Sequence, residues 1–215
     1  MRKAFTLLEI IFVIVILGIL SGVAVFYFRA SDSELAQAKN QLINHIRYTQ
    51  HLALMDDRFD PNGDRWYYTR WQMRFFGDHR GYYVIFSDRS DRGGQPDKND
   101  EIAIDPFEKE RLGRVYNAST ENKQESITYL PSQYNTIIDD IECDHFTVGY
   151  PANSVSLIFD SLGRPYMINQ EYSFNDKNFR AYEGLMKESC TITLTHNDTG
   201  EPATITIHPE TGFVE

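Results

Sequence analysis

Glu9 is the only charged residue between Lys3 and Arg29. A carboxylate among apolar side chains is costly in lipid and calls for a cationic partner, so its chemistry is recognition between helices. A helix-end glutamate reaching the headgroup region is the plainer alternative. Catalysis is harder to place. The chain has no GxSxG, HExxH, GxGxxG, Walker-type loop or CxxC. Its six histidines, His45, His51, His79, His145, His196 and His208, lack ligand-like spacing. No nucleophile is nominated, and no cofactor or metal is expected. Two stretches do offer oxygen ligands. Asp60, Asn62 and Asp64 fall at positions 1, 3 and 5 of an EF-type loop, but Arg65 replaces the glycine at position 6 and Trp71 the bidentate glutamate at position 12. Asp88, Asp91, Asp97, Asn99, Asp100 and Glu101 are interleaved with Arg89, Arg92 and Lys98. Both stretches read as solvated turns. Arg65, Arg70, Arg74 and Arg80 alternate with Trp66, Tyr68 and Trp71, a pattern able to stack single-stranded bases. The competing reading is a sheet with an aromatic core face and an Arg-bearing solvent face.

The elements that must carry these groups come from 215 residues, 41% hydrophobic, 24% charged and 13% aromatic. That composition excludes a mainly disordered, collagen-like or multi-span membrane protein. At about 150 residues per domain, one or two domains are expected. The net charge of −10 opposes a phosphate backbone, so nucleic acid is disfavoured as a partner. Residues 10–28 hold no charge, and residues 5–28 make about 36 Å of helix against a hydrocarbon core of ~30 Å. Arg2 and Lys3 precede this run, which leaves the N-terminus in the cytoplasm and everything after Arg29 outside it. Gly22 and Ala24 offer a signal-peptidase site, but the apolar run continues through Phe28, beyond the length of a signal-peptide core. In an exported domain, Cys143 and Cys190, each opening a strand candidate, are expected to form a disulfide; two free buried thiols are the alternative.

The stretch Arg2-Lys3-Ala4-Phe5-Thr6-Leu7-Leu8-Glu9, followed by Ile10-Ile11-Phe12-Val13-Ile14-Val15-Ile16-Leu17-Gly18-Ile19-Leu20, resembles the class III signal of type IV prepilins and type II secretion pseudopilins. The resemblance implies that a prepilin peptidase cuts between Ala4 and Phe5 and methylates the new amine of Phe5. The family usually has glycine where Ala4 stands; a small residue still fits. Phe5 and Glu9 are then neighbours one helical turn apart. The Glu9 carboxylate of one chain can neutralise the Phe5 amine of the next, the filament-assembly role the family gives this glutamate. Further on, Ile158-Phe159-Asp160-Ser161-Leu162-Gly163-Arg164-Pro165, Thr191-Ile192-Thr193-Leu194-Thr195 and the final Gly212-Phe213-Val214-Glu215 resemble, more weakly, the end of H-type minor pseudopilins. The implied function is a minor subunit of a periplasmic pseudopilus in type II secretion that catalyses nothing. Its implied partners are other pseudopilins, the prepilin peptidase, the inner-membrane assembly platform and the lipid of that membrane. The rival class is a minor type IV pilin acting in adhesion or DNA uptake.

The expected fold is α+β and type IV pilin-like: a long N-terminal helix packed on an antiparallel sheet or sandwich. Segments 1–4, 5–28, 29–57 and 58–215 read as leader, transmembrane helix, amphipathic stem helix and periplasmic β-rich domain. Leu35, Leu42, Ile46 and Ala53 recur at helical spacing, and no proline precedes Pro61, so one helix of roughly 50 residues is predicted. Alternation from Trp66 to Phe75, then a turn at 77–81 and a strand at 82–86, predicts a hairpin with Tyr67, Thr69, Trp71, Met73 and Phe75 on its apolar face. Further strands are expected at 102–104, 126–130, 143–148, 154–159, 165–168, 190–195 and 203–207.

Overall fold

Leu35, Ala38, Leu42, Ile46, Thr49 and Ala53 are all buried and step three or four residues at a time, the stripe that seats a helix on a core. They belong to α1 (Leu7–Met55), an unbroken 49-residue helix matching the predicted length. The computed structural model describes residues 7–60, 62, 66–90, 94–143, 150–169 and 181–215, with the side chains of residues 22–32 outside that description.

The domain behind the helix has two antiparallel sheets. One holds β1 (Gln72–Phe75), β2 (Tyr83–Phe86), β4 (Val155–Phe159) and β5 (Pro165–Asn169) in the order β2-β1-β4-β5. The other holds β3 (Thr136–Cys143), β6 (Cys190–His196) and β7 (Pro202–Ile207) in the order β3-β6-β7. Their inner residues, among them Met73, Phe75, Leu157, Met167, Ile192, Leu194 and Ile205, form one core with the buried stripe of α1. This is the expected α+β architecture of a long helix on antiparallel sheets.

The two sheets differ in exposure. In β6 burial alternates residue by residue, as in a sheet with one wet face. In β1, β2, β4 and β5 every residue is buried. Phe76, Tyr82, Val84, Phe86 and Ile102 make a second cluster over the outer face of β1 and β2, and Ile158, Tyr166 and Ile168 a third over β4 and β5, with Leu185 packed on it. The expected Arg-bearing solvent face therefore does not exist: Arg74 is fully buried and Arg70 is 6% exposed.

Several predicted strands take other forms. Trp66–Thr69 is a 3-10 turn, closed by Thr69 Oγ1 donating to Trp66 O at 2.7 Å, so the strand begins only at Gln72. Residues 102–104 contribute only isolated bridges, Ile102 to Phe86 and Ile104 to Arg111. At 126–130 the chain turns into a short helix, α3 (Leu130–Tyr134), with proline in its first turn and Asn135 in the left-handed conformation at its end. A second short helix, α2 (Thr120–Gln124), precedes it. Cys143 ends β3 instead of opening a strand, and the expected residues 144–148 lie outside the described residues.

Candidate functional site

α1 changes character along its length. From Leu7 to Leu20 every large apolar side chain is between 50 and 79% exposed, on all sides of the helix. A helix apolar all round, with no face on its own domain, is one covered by lipid or by other helices. Among the described residues no helix is long and apolar enough to cross a membrane. The expected segment 5–28 lies only in part among them, since Phe5 and the side chains from residue 22 onward fall outside. Ala4 and Phe5, the predicted cleavage and methylation site, are likewise outside. Glu9 stands near the start of the described part of α1 with an exposed side chain.

The other half of the helix is anchored by polar contacts. Arg47 Nη2 donates to Val214 O at 2.8 Å, and Gln50 Nε2 donates to Gly163 O and Thr211 O at 2.8 and 2.7 Å. The C-terminal hairpin and the β4–β5 turn are thereby pinned to the stem. Further along, Tyr134 Oη donates to Gln41 Oε1 at 2.7 Å, and Gln41 Nε2 donates to Ile127 O at 2.9 Å and Tyr83 Oη at 3.1 Å. The Ile127 carbonyl only accepts, which fixes the Gln41 amide, so the Tyr83 hydroxyl is left to donate to His45 Nδ1 at 2.7 Å. His45 Nε2 then faces Asp105 Oδ2 at 3.6 Å. Burial lowers the His45 pKa to about 4, and Asp105 raises it only in part. This His–Asp–Tyr arrangement was not predicted. Its members are separated by 38 and by 60 positions and share no local pattern. It joins the stem to the sheet as a buried strut.

Cys143 and Cys190 are bonded, their Cα atoms 4.2 Å apart, and stand opposite one another in the β3–β6 register. The second acidic stretch is only in part the solvated turn expected: Asp97, Asn99 and Asp100 are exposed, but Asp88 and Glu101 are buried. Glu101, 1% exposed, accepts from Arg89 N and Ser90 N through Oε1 at 2.9 and 2.7 Å and from Asp97 N and Lys98 N through Oε2 at 3.0 and 3.1 Å. Burial alone would raise its pKa; these backbone donors and the Ser90 hydroxyl outweigh that and hold it below the ordinary glutamate value. Asp88, fully buried, accepts from Gly94 N at 2.5 Å. These carboxylates are committed to N–H donors, and the described residues contain no group of three His, Cys, Asp or Glu able to hold a metal. In the first stretch Asp60 Oδ1 accepts from Asn62 N at 3.0 Å, while Asp64 lies outside the described residues.

The arginines proposed for base stacking are spent inside the molecule. The Arg70 guanidinium lies between the rings of Trp66 and Tyr166, 4.8 and 4.7 Å from their centroids, and donates to Ala181 O at 2.8 Å. Arg74 Nη1 donates to Gly94 O at 2.8 Å, and Arg80 bridges Asp139. Arg65 is outside the described residues.

With this geometry in place, the comparisons are informative at one end of the chain. Residues 1–25 match the family described as the prokaryotic N-terminal methylation motif. No curated protein and no solved structure matches the chain. The motif is that of prepilin-type, type IV pilin-like proteins, which carry a membrane-anchored N-terminal segment and serve as structural subunits. The helix followed by antiparallel sheets is consistent with the type IV pilin-like fold.

Proposed function

We propose that this protein is a minor pseudopilin of the H type, an assembly subunit of a periplasmic pseudopilus in type II secretion, and not an enzyme. The observation that carries the reading is the methylation motif at residues 1–25 leading into a helix whose apolar side chains from Leu7 to Leu20 find no cover in their own domain. Neighbouring subunits and inner-membrane lipid would supply that cover. The prepilin peptidase would cut between Ala4 and Phe5 and methylate Phe5. Glu9 would then meet the Phe5 amine of the adjacent chain, and the assembly platform would draw the pair into the filament. The N-terminus would face the cytoplasm and the β-rich domain the periplasm. Burial of Arg70 and Arg74 supports this reading over DNA uptake, because neither guanidinium is presented to a nucleic acid.

Two measurements test it. Intact mass of the membrane-extracted chain should show loss of four residues and gain of one methyl group; a start at Val25, or an intact Met1, sinks the processing step. Glu9→Ala should leave membrane insertion and the folded domain unchanged, since that domain packs from Leu35 onward. Co-purification with other pseudopilins and secretion should fall together, by tenfold or more. If secretion stays normal while DNA uptake fails, the minor type IV pilin replaces the pseudopilin.

A further inference from the structure

Both tryptophans of the chain, Trp66 and Trp71, line one cavity of about 230 Å³ at the Met55 end of α1, where the β4–β5 turn meets the helix. Phe59, Leu162 and Tyr182 line it too and are 56, 71 and 61% exposed, so its apolar surface opens to the outside. Single exposed apolar residues are ordinary; three around one cavity are not. The lining also carries three carboxylates, Asp56, Asp57 and Asp160, against three guanidinium groups, Arg58, Arg70 and Arg164. No net charge selects an ion. These groups are bonded inside the chain on one side only: Asp56 Oδ2 accepts from Trp71 Nε1 at 3.0 Å and Arg58 Nε at 2.8 Å, Asp57 Oδ1 accepts from Phe59 N at 3.0 Å, and Arg164 Nε donates to Asp160 Oδ2 at 2.8 Å. Among the described residues, Asp56 Oδ1, Asp57 Oδ2, Arg58 Nη1, Arg164 Nη1 and the Ser161 hydroxyl make no hydrogen bond. Acceptors and donors therefore stand together without an excess of charge, and the group that matches both is a hydroxyl.

We propose that this cleft binds one neutral sugar ring, with Phe59 and Tyr182 against its C–H face and Asp56, Asp57, Arg58 and Arg164 taking its hydroxyls. A wholly apolar ligand would strip water from those polar groups and give nothing back. A sugar replaces that water and covers the rings. The volume lies below the ~300 Å³ at which pockets for drug-sized ligands begin, which limits the occupant to about one ring. The walls are held in advance. Asp160 accepts from Leu162 N and Arg164 N through Oδ1, both at 3.0 Å, and from Arg164 Nε and Tyr166 Oη through Oδ2, at 2.8 and 3.0 Å, which fixes the turn. Trp66 packs edge to face on Phe59, their centroids 4.9 Å apart. The site stands at the opposite end of α1 from Leu7–Leu20 and does not depend on the filament reading.

The test uses the full chain in a polyoxyethylene detergent, which has no sugar head group. Because the only two tryptophans line the cleft, intrinsic tryptophan fluorescence reports on this site alone. D-glucose, D-galactose and N-acetyl-D-glucosamine are titrated, each as the monomer and as its β-1,4-linked dimer, with mannitol at equal concentration as the control for osmolyte effects. At least one sugar should give a saturable change that mannitol does not; tighter binding of the dimer marks the end of a glycan, and equal binding a free sugar. Tyr182→Ala should weaken that response at least tenfold while unfolding at the parent temperature, because the side chain is largely exposed. Tyr182→Phe, which keeps the ring, should bind within about threefold of the parent. A parent chain that responds to none of the sugars overturns the proposal, and so does an undiminished response in Tyr182→Ala. A response to an eight-residue oligoproline peptide and to no sugar assigns the aromatic cleft to a protein partner instead, and also overturns it.

Discussion

Reducing the Cys143–Cys190 bond should lower the stability of the domain by about 4 kcal/mol and its urea midpoint by about 2 M. The argument runs through the unfolded chain. The bridge closes a loop with a sequence separation of 47, for which the chain-entropy relation gives about 4 kcal/mol at 25 °C. The topology gives that loop particular weight. β3 and β6 flank the bond in one sheet, while β4 and β5, inside the loop, belong to the other. Cross-linking the ends of β3 and β6 thus holds a long excursion to the second sheet close to the core that both sheets share. Urea unfolding with and without reductant, with complete reduction verified by thiol alkylation, measures the effect. An unchanged midpoint in the fully reduced protein would show that the loop is held by packing alone.

The same cysteines show what could be read from residues in order. Their bond followed from export and from strand candidates near each, although Cys143 closes its strand where an opening was expected. The stem helix was legible because its apolar stripe repeats without a proline for its whole length. The weak point was the outer face of the first sheet. Alternation from Trp66 to Phe75 predicts an apolar and an amphipathic face, but only Gln72–Phe75 is strand and all four of its residues are buried. Ile102, Val115 and Tyr129 from the β2–β3 connection and Leu185 ahead of β6 cover the second face, and no local pattern announces such a cover. Arg70 and Arg74 consequently looked like surface residues. In the structure Arg70 is sandwiched by aromatic rings and Arg74 is sealed under Phe76, so charge reversal at either would break the fold before it could report on DNA. The short helix at Leu130–Tyr134 stands where a strand was expected to end; Pro131 in its first turn and Asn135 at its end are the helix punctuation that the strand expectation passes over. At the site, the Glu9 motif was readable because it is contiguous. The His45 strut was not, because it is assembled from positions far apart in sequence.

The His45 strut makes stability depend on pH between about 4 and 6.5. A histidine in the unfolded chain titrates near 6.5, whereas burial lowers His45 in the folded protein to about 4. Between those values the unfolded state binds more protons, so stability is fully present above pH 6.5 and is lost as pH falls toward 4. At 1.36 kcal/mol per pH unit across that window, the loss is about 3 kcal/mol. Glu101 and Asp160 also contribute, but both are held below their ordinary carboxylate values of 4.5 and 3.8, so their stabilisation is intact over most of the window and begins to fall only at its acid end. Urea midpoints of the full chain in detergent between pH 7 and 4.5 should therefore fall steeply, and His45→Gln should flatten that slope while lowering stability at pH 7 by about 1–2 kcal/mol through loss of the Tyr83 hydrogen bond. A flat profile in the parent protein, or an unchanged slope in the variant, would remove His45 as the cause. The position of the strut gives the effect a structural direction. His45 joins α1 to Tyr83 of β2 and faces Asp105, whose Oδ1 accepts from Phe107 N and Glu108 N and so holds the turn presenting the 90% exposed Phe107. Protonation charges the imidazole inside the joint between stem and sheet, where the Tyr83 hydroxyl can no longer donate to Nδ1. The first contacts to loosen on acidification should be those between residues 41–48 of the stem and the sheet, ahead of the β3–β6 pair held by the disulfide. Amide hydrogen exchange at pH 5 and pH 7 should show that order.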